Sequence, residues 1–263
     1  MSSDIFPVVF GICLDAEAIW TGQNPEAQHR PVMLSQGVFA VREALNPLLD
    51  LLDENGVRST FFIPGVTADK YPDAVRLIQS RGHEFGSHGY NHRSVLTISP
   101  EEDAQEMVQG IEAIERITKI RPRIWRSPSW EWSPRSMDLM LANGVDISTN
   151  FHDTLRPYRH TRDGKPVSLV ELPVQWHLAD APYFRYGGQI GRVIHSAAQV
   201  EAIWQEEFDA LYEMPGTFFH LTLHVQLIGH PGRMKMLQRF TRHMRGHSRV
   251  RFMNSTETAA LVP

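Results

Sequence analysis

Short apolar runs rich in β-branched residues alternate along the chain with longer stretches whose apolar positions recur every three or four residues. The first run, VVFGICLDA, ends in polar residues and predicts a buried strand. SQGVFAVREALNPLLDLLDENG then has helical spacing and closes on Gly56, a helix C-terminal signal. STFFIPG predicts a second strand, stopped by Pro64 and Gly65. ADKYPDAVRLIQSRG predicts a helix ending at Gly82, and HEFGSH a short extended segment. SPEEDAQEMVQGIEAIERITK opens on Ser99, Pro100 and two glutamates, a helix-start signature. RIWRSP reads as a strand and SPRSMDLMLANG as a helix with the same Ser-Pro opening. VDIST and SLVELPVQW read as strands, SAAQVEAIWQEEFDALYE as a helix and GTFFHLTLHV as a strand. GRMKMLQRFTRHMRG is a helix, and VRFMNSTETAALV a strand running into a short helix.

Strands thus alternate with helices about seven times, the pattern of parallel βα units. The stretch 150–190 is less regular and predicts extra loops or a hairpin. No repeat, low-complexity tract or Pro/Gly/Ser-rich linker interrupts the chain, so residues 1–263 read as a single domain. Alternation alone leaves both a barrel and an open doubly wound sheet possible.

Composition adds little to this α/β picture. The chain is 42% hydrophobic and 21% charged, ordinary for a globular protein. A net charge of −4 gives no electrostatic reason to expect nucleic acid or an anionic membrane as partner. The basic run RMKMLQRFTRHMRGHSRVR reads as a solvated helix face or a subunit contact. Cys13 is the single cysteine, which excludes an intrachain disulfide and suits a reducing compartment. The first twenty residues carry neither a signal peptide nor a membrane span, and a cytoplasmic location is the expectation.

In βα folds the chemistry lies where strands end and loops begin. Asp15 and Glu17 follow the first strand; His88 and His92 follow HEFG; Arg126 to Trp130 follow RIW; His177 and Asp180 follow SLVELPVQW; His224 ends FFHLTL. His88 and His92 are four apart, which places them on one face of either a helix or a strand. With a carboxylate from another loop they would make a three-ligand metal site with room for water. Asp15 is the natural third ligand, since a lone carboxylate ending an apolar strand is costly. The competing reading is that both histidines bond to loop backbone and Asp15 acts as a cap. His83, at odd spacing from His88, reads as structural. In GTFFHLTLH, Phe219, Leu221 and Leu223 alternate with His220, Thr222 and His224, so one face of a buried strand is polar, as if it lined a lumen. His220 then belongs to an internal hydrogen-bond network, and His224 reaches substrate.

In sequence order, CLDAEAIW, TFFIPG, GHEFGSHGYNH, RSPSWEWSP, VELPVQW with DAP, and LTLHVQLIGHPGR resemble the polysaccharide deacetylase (NodB-homology) superfamily. The nearest branch holds peptidoglycan-deacetylase-like proteins and allantoinase- or imidase-like enzymes. The resemblance runs from about residue 8 to 260. It implies a distorted (β/α) barrel of about seven strands and a divalent metal, usually Zn2+, held by Asp15, His88 and His92. It also implies that His224 is the general acid and that Arg126 orients a catalytic carboxylate. Of the branch's Asp-Asp-Ala-Pro, this chain keeps Ala179, Asp180, Ala181 and Pro182. Two departures stand out. Cys13 and Leu14 occupy the places where the family carries its catalytic aspartate, and the late motif reads His224-Val225 and Gly229-His230-Pro231.

The resemblance therefore implies a metal-dependent hydrolase of non-peptide C–N bonds that acts on a small-molecule amide or sugar-derived substrate. An N-acyl compound and a cyclic imide or ureide are the competing substrates. The alternative is a degenerate barrel that binds a carbohydrate or metabolite without turnover. The missing aspartate leaves Asp180, ahead of Glu17, as candidate general base, unless no dedicated base is used. Cys13 reads as a packed strand residue or a ligand, with a nucleophilic role disfavoured. Trp20, Trp130 and Trp176 are candidate substrate walls, suited to flat rings or sugar faces. A homo-oligomer, dimer or tetramer, is expected from the branch.

Overall fold

A computed structural model describes residues 4–186 and 194–263. The strands are β1 (Phe6–Cys13), β2 (Thr60–Ile63), β3 (Glu84–Ser87), β4 (Ile124–Trp125), β5 (Ile147–Ser148), β6 (Tyr158–Arg162), β7 (Lys165–Glu171), β8 (Phe219–His224) and β9 (Val250–Phe252). They form one curled sheet in the order β6-β7-β5-β4-β3-β2-β1-β8, with β9 pairing the start of β1. Seven strands on this path, β1 to β5, β7 and β8, are joined by parallel pairings. That is the expected distorted (β/α) barrel of about seven strands. Ala179, in the segment that follows β7, makes an isolated parallel bridge to Thr222 of β8.

Side-chain alternation along β1 sorts the interior into two layers. Phe6, Val8, Phe10, Ile12 and Leu14 pack into the main core with the surrounding helices. Val9 and Cys13 pack with Phe62, Ile124, Ile147, Val170, Leu172 and Phe218 in a second cluster. Every residue of β1 is buried, as expected for a parallel strand covered on both faces. Each fully buried large apolar side chain stabilises the fold by about 1.5–3 kcal/mol, so the sheet is stiff where the loops leave it. β8 divides in the same way. Phe219, Leu221 and Leu223 face the helical core, while His220 reaches Arg126 inside the curl. Gly11 belongs to that inner face: a Cβ there would lie 2.5 Å from Arg126 Nη2, so glycine makes room for the guanidinium.

The irregular stretch contains the anticipated hairpin. β6 and β7 pair antiparallel around Asp163 and Gly164, both at positive φ, the Asp-Gly turn that suits the twist of a hairpin. The helix read across ADKYPDAVRLIQSRG is two helices, Gly65–Lys70 and Pro72–Ser80, because Pro72 lacks the N–H that continuation needs. The helix over 35–56 likewise divides into Pro31–Phe39 and Leu45–Glu54 around a wider turn, Ala40–Ala44. Ser99 caps helix Pro100–Thr118 with Glu102 completing a capping box.

Candidate active site

The loops after β1, β3, β4 and β8 converge on one point. Asp15 is fully buried, and its Oδ1 lies 3.7 Å from His88 Nε2 and 4.0 Å from His92 Nε2. Its Oδ2 lies 3.8 Å from His224 Nε2 and accepts a 3.4 Å hydrogen bond from Gln226. Thr67 Oγ1 holds the Asp15 carbonyl at 2.7 Å. Asp15 Oδ1 and His92 Nδ1 are buried without a hydrogen-bond partner among the described residues. An orphaned carboxylate oxygen facing two imidazole nitrogens is expensive unless a cation satisfies it.

Protonation favours a cation as well. His88 Nδ1 donates to the Arg126 carbonyl at 2.7 Å, which fixes the tautomer that leaves Nε2 with a lone pair toward Asp15. Burial pushes the Asp15 carboxyl up, but His92, His224 and His88 outweigh it and hold the group below its ordinary range. Burial keeps His92 neutral, its pKa brought down to about 3. The anionic Asp15 and the neutral His92 are donor forms a divalent metal requires. At His88 burial pulls the pKa down, but Cys13, Asp15 and the Arg126 carbonyl raise it above the ordinary value, so a metal there would displace a proton.

The backbone is tensed at the same place. Four of the six described non-glycine residues at positive φ, Ala16, His92, Ser129 and Trp130, lie in these loops, a clustering typical of functional sites. Glu106 anchors the His88–His92 loop: its carboxylate accepts from the Tyr90 and Asn91 amides and from Asn91 Nδ2, at 2.7–2.8 Å. Gly110 admits that loop, since a Cβ there would meet the Gly89 carbonyl at 2.4 Å.

Next to the donors stands His224. Its Nδ1 lies 2.6 Å from Asp180 Oδ1, and its amide donates to Asp180 Oδ2 at 2.8 Å. Burial pulls the imidazole down, but Asp180 and Cys13 raise it well above the ordinary histidine value. Both Asp180 oxygens are therefore committed to His224. The carboxylate ranked ahead of Glu17 as candidate general base thus faces His224 through both of its oxygens. Glu17 is drawn away too: its carboxylate is held by Lys70 Nζ at 2.9 Å and Tyr71 OH at 2.7 Å.

Arg126 is 1% exposed and meets no carboxylate within ion-pair distance among the described residues. It donates to Thr149 Oγ1, the Gly11 carbonyl and Cys13 Sγ, and stands 3.1 Å from His220 Nε2. The carboxylate it was expected to orient is replaced by Cys13. His220 joins this internal network, as its place in β8 suggested, and His83 is structural, accepting the Ser59 amide at 3.2 Å.

A cavity of about 250 Å³ opens over the cluster, with Trp130, Trp176, Ile19, Arg185 and His224 among its walls. The rings of Trp130 and Trp176 meet at 4.5 Å and 61°, and Trp176 is half exposed. Trp20 does not line it; it is 4% exposed and packs with Ile19 and Ala27 beneath the first loop. Trp20 is therefore a loop anchor, because the turn after β1 directs its indole inward. The sequence reading missed Gln226 and Glu106. Glu106 had a signal, since it lies on the same helical stripe as Asp103, Met107, Gly110 and Ile114, all buried. Gln226, in a four-residue helix, had none.

Comparison with known proteins agrees with this geometry. The polysaccharide deacetylase family profile matches residues 33–148. The peptidoglycan deacetylase of Helicobacter pylori is 26% identical over 96% of this chain and 94% of its own length. A peptidoglycan deacetylase-like protein of Gibberella zeae is 24% identical over 84% of this chain and 75% of its own. A crystal structure from Mycobacterium smegmatis with a provisional polysaccharide deacetylase assignment superposes with a TM-score of 0.92 at 28% identity, covering 98% of this chain and 90% of that one. The Puue allantoinase structure shares the fold, with a TM-score of 0.84 at 20% identity over 98% and 90% of the two chains. Its motifs, fold and full-length relatives agree that the chain is similar to the polysaccharide deacetylases, hydrolases of carbon–nitrogen bonds other than peptide bonds.

Proposed function

We propose that this protein hydrolyses a small, soluble N-acyl compound or a cyclic imide or ureide, with Asp15, His88 and His92 holding a zinc ion. The observation that carries the reading is the buried Asp15 Oδ1, unpartnered and 3.7–4.0 Å from two imidazole nitrogens. A divalent metal in that place supplies a lowered water pKa and a polarised carbonyl. The chain's own residues do the rest. His224 carries the proton for the departing nitrogen on Nε2, the atom facing the centre, while Asp180 fixes Nδ1 and stabilises the charged ring. Trp130 and Trp176 offer an aromatic wall for a flat ring or a sugar face, and the cavity of about 250 Å³ suits a compact substrate better than a polymer strand. With Glu17 and Asp180 both engaged, the reaction uses no dedicated carboxylate base. A cytoplasmic homo-oligomer belongs to the same reading, supported by the family branch and tested by light scattering.

The experiment is a zinc-loaded enzyme assayed in parallel on soluble N-acetylated glucosamine oligomers, cyclic ureides and insoluble glycans. Turnover on a soluble substrate is expected. Turnover confined to the insoluble glycans would contradict the proposal, and peptidoglycan, the substrate named for the H. pylori relative, is the control polymer.

A further inference from the structure

Cys13 is the chain's single cysteine and is 1% exposed, yet it sits among the donors. Alternation along β1 places it on the inner face with Val9. It is the register partner of His224 on β8. Its Sγ, a carboxylate oxygen of Asp15 and a ring nitrogen of His88 all lie within 4.8 Å of one another. Asp15 and His88 thus share a donor group with Cys13, while Asp15 Oδ1 also faces His92 Nε2 at 4.0 Å. A cysteine placed only for packing would face apolar atoms. This one also takes a hydrogen bond from Arg126 Nη1 at 3.7 Å, and that buried guanidinium meets no carboxylate among the described residues. A buried guanidinium is costly unless polar atoms surround it, and Cys13 Sγ is one of the atoms that Arg126 reaches.

We infer that Cys13 Sγ is an inner-sphere ligand of the metal, giving a Cys-Asp-His-His donor set. This rests on the metal centre proposed above. A thiolate among the donors favours borderline and soft ions such as zinc and cobalt, and disfavours magnesium, calcium and manganese. Four protein donors are the count of a strongly retained ion, and expansion to five-coordination, which zinc permits, reconciles that set with turnover.

The test is spectroscopic. Metal-stripped full-length protein, its fold checked by circular dichroism, is titrated with cobalt(II) and separately with zinc. The wild type is expected to show visible d–d bands together with a near-ultraviolet sulfur-to-cobalt charge-transfer band. Cys13→Ser should keep the d–d bands and lose the charge-transfer band, with zinc affinity falling by more than the roughly 10- to 100-fold that loss of an outer-shell partner costs. Cys13→Ala serves as a second variant if the serine form does not fold. Visible bands without charge transfer in the wild type, or unchanged zinc affinity in a folded Cys13 variant, would overturn the ligand and leave the centre standing. Failure of folded wild type to bind either ion would overturn the centre itself, and this inference with it.

Discussion

Asp180→Asn is the most informative single change, because it separates proton delivery from metal binding. Asp180 accepts from both His224 Nδ1 at 2.6 Å and the His224 amide at 2.8 Å. Asparagine has one acceptor oxygen, so one of these two N–H groups must face the new amide N–H₂. If the oxygen keeps the backbone partner, the ring loses the acceptor that fixes its tautomer and its charge. A charge-assisted hydrogen bond contributes about 1.5–3 kcal/mol, which at 1.36 kcal/mol per tenfold is roughly 10- to 150-fold in rate. Loss of the correct tautomer adds to this, toward the 10²–10⁴ typical of general acid–base catalysis. The pH profile gives an independent readout. Burial lowers the His224 pKa, but Asp180 and Cys13 raise it above the ordinary value. A general acid works only while protonated, so its pKa sets the alkaline limb, and removing the carboxylate moves that limb to lower pH. Metal content should stay unchanged, because Asp180 is not among the converging donors. The assay is kcat/KM against pH for acetate or ring-opened product, with metal content per chain. An unmoved alkaline limb with kcat/KM within about threefold of wild type would refute the assignment of His224 as acid.

Other expected outcomes follow from the same geometry. Asp15→Asn and His88→Ala should abolish zinc uptake in equilibrium dialysis, and a folded variant keeping both metal and rate would remove these residues from the centre. Gly11→Ala should destabilise the protein by about 1–3 kcal/mol in urea denaturation, since its Cβ would lie 2.5 Å from the Arg126 guanidinium. Trp130→Ala should raise KM far more than it lowers kcat, and a pure kcat effect would place the ring outside the substrate wall. Burial, then Arg58, brings the His83 pKa down to about 4, against about 6.5 in the unfolded chain. The folded state therefore binds fewer protons between those values, so this stability is whole above about pH 6.5 and is lost as pH falls toward 4. The loss amounts to about 3 kcal/mol, and His83→Gln should flatten that part of the stability–pH curve; an unchanged slope would refute it.

Much of this architecture is legible in the sequence because strand parity carries it. The alternation of Phe219, Leu221 and Leu223 with His220, Thr222 and His224 gives both the helical core and the polar lumen. The four-residue spacing of His88 and His92 foreshadows their convergence on Asp15. What escapes is the direction a loop takes after leaving its strand. Glu17, two residues past Asp15, turns toward Lys70 and Tyr71, and Trp20 turns beneath the first loop. Partners more than fifty residues away draw Glu17 off, and Trp20 settles against Ile19 and Ala27 within its own loop, a turn that no residue pattern announces. The hold of Asp180 on His224 escapes as well, since the neighbouring bridge between Ala179 and Thr222 brings the two segments together.

The left-handed residues at Ala16, His92, Ser129 and Trp130 set stability and precision against each other. Glycine at Ala16 would release a backbone penalty of roughly 1 kcal/mol, so a search for thermostable variants would be drawn to that turn. The same change would loosen the chain one residue beyond Asp15, where a displacement of a fraction of an ångström spoils the convergence of donors. In this protein the easiest route to a tougher fold runs through the residues that can least tolerate slack.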